Sequence, residues 1–290
     1  MKILITGITG QLGTALAESL QDNHEITGLC KDSSSSTHPT VKADLSDWKT
    51  VYDAITRINP DVVIHTAAQS NVDACEKDPE YAYRINALGT RNIAIACQRF
   101  DAVMVHISTD YVFSGDNAPQ GGYTEFDATA PASVYGKSKL QGEEFVSSLL
   151  SRYFIVRTSW LFGRIRANFV SQIVSALNEG SPYTAVDDMY SAPTLVTDLA
   201  DGIAHLITTP LYGTYHLTNT GFSSRYEIAQ AIAVQLGVPH TVIRKASLKD
   251  LRLPAPRPLF SGLRNYVWEL NNFKPLRSWQ DAVSEFIEGK

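Results

Sequence analysis

Lys2-Ile3-Leu4-Ile5-Thr6-Gly7-Ile8-Thr9-Gly10-Gln11-Leu12-Gly13 is the stretch on which the fold turns. A short apolar run ends in a Gly-x-x-Gly-x-x-Gly turn, and the turn leads into the helical spacing Leu12, Ala15, Leu16, Ser19, Leu20. Strand, glycine turn and helix, in that order, open a nucleotide-binding α/β sheet. Glycines permit the tight turn, the close approach of backbone to a diphosphate, and close packing of helix on strand. Backbone N–H groups and the positive end of the helix then face the phosphates. Gly7, Gly10 and Gly13, with Thr9, Gln11 and Leu12 between them, are therefore expected to hold a dinucleotide.

Working outward, Glu25–Cys30 reads as a second strand ending beside the adenine ribose. An acidic residue there takes the ribose 2′-hydroxyl, and a basic one takes a 2′-phosphate. Lys31 comes first, followed by Asp32, and residues 33–36 are serines that add hydroxyl donors. This favours NADPH, with NADH possible. Residues 41–45 resemble a third short strand, whose Asp44, beside Leu45, can accept from the adenine amino group. Residues 47–58 read as a helix stopped by Asn59-Pro60, and 61–65 as a strand. Thr66-Ala67-Ala68-Gln69-Ser70 is small enough to let a cofactor lie against the backbone, so Ala67, Ala68 and Gln69 join the cofactor set. His65 reads as a packed strand-end histidine, because no second ligand sits at suitable spacing, and no metal site is expected. Residues 81–99 have helical periodicity with Asn86 on a face that should be buried, where an amide needs partners.

An apolar strand over 103–107 ends in Ser108-Thr109-Asp110-Tyr111-Val112-Phe113, and Tyr135-Gly136-Lys137-Ser138-Lys139 opens a helical segment. If helical, Tyr135 and Lys139 share one face. A free phenol titrates near 10. A neighbouring ammonium favours the phenolate and is expected to lower that value, making Tyr135 a usable acid/base. Thr109 or Ser108 could hold a substrate oxygen within its reach. With 13 tyrosines in the chain, Tyr-x-x-x-Lys also arises by chance, so its context has to carry it.

That context is a chain of 290 residues, 44% hydrophobic and 19% charged, ordinary for a globular protein with a sizeable core. The formal charge of -5 lacks the basic surface that nucleic acid or an anionic membrane would need. Cys30, Cys75 and Cys97 are odd in number and form no Cys-x-x-Cys, which points to reduced thiols. Lys2 runs directly into an apolar strand, with neither a signal-peptide core nor a membrane-length run, so the expected location is cytoplasmic.

Alternating strand and helix continue to residue 157, predicting a Rossmann-type, doubly wound parallel sheet over 1–165. Beyond it, helices over 167–179, 198–208 and 224–236 and the short run 213–217 read as a smaller α/β substrate lobe, 166–290, partly interleaved with the sheet.

The glycine turn, Ala67-Ala68, Asn86, the run 108–113, the run 135–143 and Arg157-Thr158-Ser159-Trp160-Leu161-Phe162-Gly163 together resemble the extended short-chain dehydrogenase/reductases. More narrowly they are similar to the dTDP-4-dehydrorhamnose reductases, and the likeness spans nearly the whole chain, since Arg257-Pro258 with Ser261 and Leu263 matches a C-terminal motif of that family. The resemblance implies delivery of hydride from NADPH to the C4 ketone of a nucleotide-linked 4-keto-6-deoxy sugar. It implies a catalytic set of Thr109, Tyr135 and Lys139, with Lys139 also on the nicotinamide ribose. It implies sugar-nucleotide contacts from Ser108, Thr109, Asp110, Tyr135 and Trp160, and a diphosphate contact from Arg257. The expected partner is a small sugar nucleotide, the chain being a monomer or homodimer. Met189 stands where the family has Gln, Ser191 where it has Gly, and Phe260 where Asn is frequent. All three departures fall in the substrate lobe.

Two other functions compete. An epimerase or dehydratase of the same superfamily recycles its nicotinamide; dehydratases carry an acidic pair after the threonine, and Thr109-Asp110-Tyr111 does not. A non-catalytic dinucleotide-binding subunit, like that of methionine adenosyltransferase, has no need of Thr109, Tyr135 and Lys139 together.

Overall fold

The computed structural model describes residues 1–31, 36–116 and 118–289. Strands β1 (Lys2–Thr6), β2 (Glu25–Cys30), β3 (Thr40–Lys42), β4 (Val62–His65), β5 (Val103–Thr109) and β6 (Tyr153–Thr158) share one sheet with a seventh, Gly213–His216. Their spatial order is β3-β2-β1-β4-β5-β6-seventh, and every neighbouring pair is parallel. The chain winds outward in one direction from β1 and in the other from β4. A crevice therefore opens at the carboxyl ends of these two strands, where such sheets bind ligands.

The inner strands β1, β4, β5 and β6 are largely apolar because both faces of the sheet are covered there. Side chains alternate across a strand. Ile3 and Ile5 accordingly join Leu16, Val105, Leu199 and Ile203 on one face, under the helices Gln11–Leu20 and Val196–Leu206. Leu4 joins Ile55, Val63, Ile93, Met104 and Val146 on the other, under Trp48–Ile58, Thr90–Phe100 and Val134–Leu149.

Two local features differ from the sequence reading. The third strand stops at Lys42, because the Asp44 carboxylate accepts from the N–H and hydroxyl of Ser46 (2.9 and 2.7 Å) and turns the chain before the next helix, which Asp47 caps. The helix expected over 81–99 is Pro79–Tyr83 and Thr90–Phe100 joined by a π-helical turn, Arg84–Gly89. That turn aims the Asn86 amide inward.

A further group of elements packs around Phe162, Ile173, Leu177, Ile228, Ile232 and Val283. They are the helices Phe169–Asn178, Arg225–Leu236 and Trp279–Glu288 and the strand pairs Tyr183–Val186 with Ile243–Ala246 and Tyr190–Ser191 with Ser223–Ser224. Among the described residues no helix is long and apolar enough to cross a membrane.

Candidate active site

The glycine turn needs its glycines for physical reasons. Gly7 has φ +68°, and a Cβ on Gly13 would lie 2.2 Å from the Gly7 carbonyl oxygen, so any side chain there would push the helix off the strand. Two clefts meet at this turn. One, of about 340 Å³, runs past Lys31, Asp44, Leu45 and Gln69. The other, of about 630 Å³, runs past Gly10, Gln11, Leu12 and Gly13 to Thr109, Tyr135, Lys139 and Trp160. Gly7, Thr9, Ala67 and Ala68 line both. Every described residue assigned to a dinucleotide from the sequence, apart from Ser36, thus lines this groove. Its form suits the group: the backbone approach is open at the turn, and the Thr158 hydroxyl is buried in the larger cleft without a hydrogen-bond partner. Lys31 Nζ lies 3.3 Å from Asp44 Oδ2 in the lining of the smaller cleft. Asp32 and residues 33–35 lie outside the described residues.

At the other end, Thr109 closes β5 and caps a short turn: its Oγ1 accepts from the Tyr111 N–H (3.2 Å) and donates to Asp110 Oδ1 (3.1 Å). The helix Val134–Leu149 starts beside it, with Ser133 Oγ accepting from the Gly136 N–H (3.1 Å). Tyr135 therefore sits in the first turn and Lys139 one turn on, facing the same cleft. The Tyr135 ring meets Tyr111 edge-on at 5.9 Å.

The expected depression of the Tyr135 pKa is reversed. Burial dominates and raises the phenol above its free value, against a smaller opposing hydrogen bond with Thr109. Lys139 Nζ is engaged elsewhere, donating to the Ile107 carbonyl (2.7 Å) and lying 3.4 Å from His106 Nε2. Burial lowers Lys139 to about 8, with Glu143 pulling the other way. Near neutral pH the phenol is protonated and the Lys139 amine, one helical turn on, is mostly an ammonium, which is a proton-donating arrangement.

Asp110 is buried, and burial raises its carboxyl to about 6, opposed by hydrogen bonds from Ser261, Ser191 and Thr109. Its Oδ2 accepts from Ser191 Oγ (2.9 Å) and Ser261 Oγ (2.5 Å). The serine that replaces the family's glycine at 191 thus reaches back to the strand end that carries Thr109. Ser108 lines the cleft, but its hydroxyl donates to Glu143 Oε1 (2.5 Å). Glu143 is held in turn by Arg157 (Nη2 to Oε2, 2.7 Å), a buried pair that ties the helix to β5 and β6 beneath the site. Asn86 accepts from the Gln69 N–H (2.8 Å) and donates to the Gln69 carbonyl and Ser138 Oγ (both 3.0 Å), fixing the loop after β4 to the helix Val134–Leu149. Trp160 lines the cleft with φ +42°, a left-handed backbone unusual for an aromatic residue and kept by the Thr194 N–H on its carbonyl (3.3 Å). Arg257 lines neither cleft; its guanidinium grips Asp73 (Nη2 to Oδ2, 2.8 Å; Nη1 to Oδ1, 3.1 Å). Thr158, at the strand end read as the ligand side, lines the larger cleft, as do Arg166 and Asn168, which carried no local sequence signal.

The sequence model of the family described as RmlD substrate binding domain matches residues 1–290. The chain belongs to this family. Among RmlD relatives, the spore coat polysaccharide biosynthesis protein SpsK of Bacillus subtilis is 34% identical over 99% of this chain and 97% of its own. A dTDP-4-dehydrorhamnose reductase of Streptomyces griseus is also 34% identical, over 97% of this chain and 91% of its own. The crystal structure of dTDP-4-dehydrorhamnose reductase from Bacillus anthracis in complex with NADP superposes with a TM-score of 0.91 at 38% identity, covering 100% of this chain and 99% of that one. The RmlD family is thus the one the sequence motifs resemble.

Proposed function

We propose that the chain reduces the C4 ketone of a nucleotide-linked 4-keto-6-deoxy sugar with NADPH, converting dTDP-4-dehydro-L-rhamnose to dTDP-L-rhamnose. The observation that carries this reading is Thr109, Tyr135 and Lys139 gathered in one cleft that continues to the glycine turn, in a chain whose relatives bear that reductase's name. Residues 1–165 supply the cofactor side and 166–290 most of the sugar-nucleotide side. The glycine turn takes the cofactor diphosphate, Asp44 the adenine and Lys31 the 2′-phosphate, while Ala67 and Ala68 leave room for its length. When bound, the nicotinamide supplies hydride to the ketone carbon.

The protein's own part is positional and protonic. Thr109 turns its hydroxyl from Asp110 to the ketone oxygen and fixes it beside Tyr135. The phenol, kept protonated by burial, gives its proton to that oxygen as negative charge develops there. Lys139 offsets the charge left on the phenolate and holds the nicotinamide ribose. Asp110 and Trp160 border the sugar.

The test is absorbance at the reduced-nicotinamide band with purified protein, NADPH and NADH in parallel, and dTDP-4-keto-L-rhamnose made enzymatically in the same cuvette. Substrate-dependent loss of signal, faster with NADPH, is expected. Tyr135→Phe should lower kcat by about 10²- to 10⁴-fold, the usual worth of a positioned acid, while still binding NADPH. Turnover undiminished in that variant would remove Tyr135 from the mechanism.

A further inference from the structure

Arg225 is a cation that the reaction above leaves unused. It opens the helix Arg225–Leu236, and its guanidinium carbon lies 3.4 Å from the ring centre of Phe169 and 3.9 Å from that of Trp160. Those two rings stand at 69° to one another with centres 6.0 Å apart, so they clamp the guanidinium in an aromatic corner. Trp160 is the wall of the larger cleft, held there by its left-handed backbone.

Among the described residues no carboxylate pairs with Arg225 and no acceptor hydrogen-bonds it, and its Nη1 is buried without a partner. A guanidinium presents five donors in a planar fork and keeps its charge. Leaving that charge half-buried and unpaired is costly unless a ligand completes it. Burial lowers Arg225 only to about 10, so it is cationic at neutral pH, and the ionisable groups it senses are Tyr111, Tyr183 and Asp110. Two of those belong to the turn that carries Thr109. The other arginines near the site are engaged: Arg257 with Asp73, and Arg166 with the Thr9 carbonyl (3.2 Å) beside the glycine turn.

We propose that Arg225, which lines neither cleft itself but is half-buried against Trp160 of the larger one, binds the diphosphate of the nucleotide sugar, the Trp160–Phe169 corner holding its fork. Planar bidentate donation suits phosphate as it suits carboxylate. The assignment rests on the sugar-nucleotide reading above and moves the diphosphate contact from Arg257 to Arg225.

Calorimetric titration of the full-length protein with dTDP, thymidine and NADPH tests it. Arg225→Met keeps an unbranched stem against both rings and removes the charge. It should weaken dTDP by about ten- to a hundredfold, as loss of a charged hydrogen-bonding partner does, and leave thymidine and NADPH as in the wild type. Arg225→Lys should recover part of the dTDP affinity. Unchanged dTDP binding in Arg225→Met, or an equal loss for all three ligands, overturns the proposal. Wild-type turnover of the keto sugar together with dTDP binding indifferent to Arg225 sinks the arginine assignment alone. Arg225-dependent dTDP binding without any oxidation of NADPH sinks the reductase reading alone.

Discussion

Tyr135 and Lys139 depart from their free titration values in opposite directions for one reason, since burial disfavours phenolate and ammonium alike. The consequence for activity follows from Lys139. In the proposed reaction the protonated amine offsets phenolate charge, and with its pKa lowered to about 8 it is mostly charged at pH 7 and mostly neutral by pH 9. The value of kcat/KM, which reports ionisations of the free enzyme, should therefore be level near pH 7 and fall above about 8. The limiting slope should approach tenfold per pH unit. In Lys139→Arg the charge persists above pH 12, so its alkaline limb should move beyond pH 10 even though the bulkier group lowers the rate throughout. An unshifted limb would assign the titration to another group.

At the scale of elements, the site is a junction between the end of β5 and the first turn of the helix Val134–Leu149. Gly136 sets their separation: a Cβ there would meet the Tyr111 carbonyl oxygen at 2.2 Å and the Pro131 Cβ at 2.9 Å. Gly136→Ala gains about 1 kcal/mol of helix propensity. It must also move backbone against backbone, an overpacking that costs about 1–3 kcal/mol. The overlap should win. Thermal unfolding should report a lower Tm for Gly136→Ala, and kcat should drop by about tenfold or more because Tyr135 shifts relative to Thr109. A variant with raised Tm and full activity would show that the junction yields. Both halves of this junction were legible in the sequence, because a strand end and a helix start each have short-range patterns. The π turn at Arg84–Gly89 was not, since nothing in the 3.6-residue period marks one extra residue per turn.

Across the whole molecule, legibility followed sequence separation. The parallel sheet could be read from the glycine turn and the alternation of elements, which are local. The contacts of Asp110 with Ser191 and Ser261 join residues 81 and 151 apart, and no spacing announces them. The run Gly213–His216 reads as part of a lobe interleaved with the sheet, and nothing in it names β6 as its partner. Long-range packing also sets the response to acid. His65 on β4, His106 on β5 and His216 on the seventh strand are buried. Burial depresses His65 and His216 to about 3 and His106 well below 6.5. The unfolded chain takes up these protons near 6.5 and the folded one does not, so their stabilisation is full above 6.5 and is lost as pH falls below it. Each removes about 1.4 kcal/mol per pH unit once well below 6.5. Asp110 acts oppositely: its carboxyl, raised to about 6 from 3.8, favours the fold as pH falls between those values, and Glu125, also raised by burial, acts with it, but these are two carboxyls against three buried imidazoles. Stability should therefore decline between pH 6.5 and 4.5, seen as a falling Tm in calorimetry. In His65→Gln, whose amide can still bond Thr6 and Thr90 as the imidazole does at 2.7 and 3.1 Å, the decline should be shallower by roughly one histidine's share. A Tm that is flat over this range, or a slope unchanged in His65→Gln, would mean that these imidazoles reach protons without unfolding.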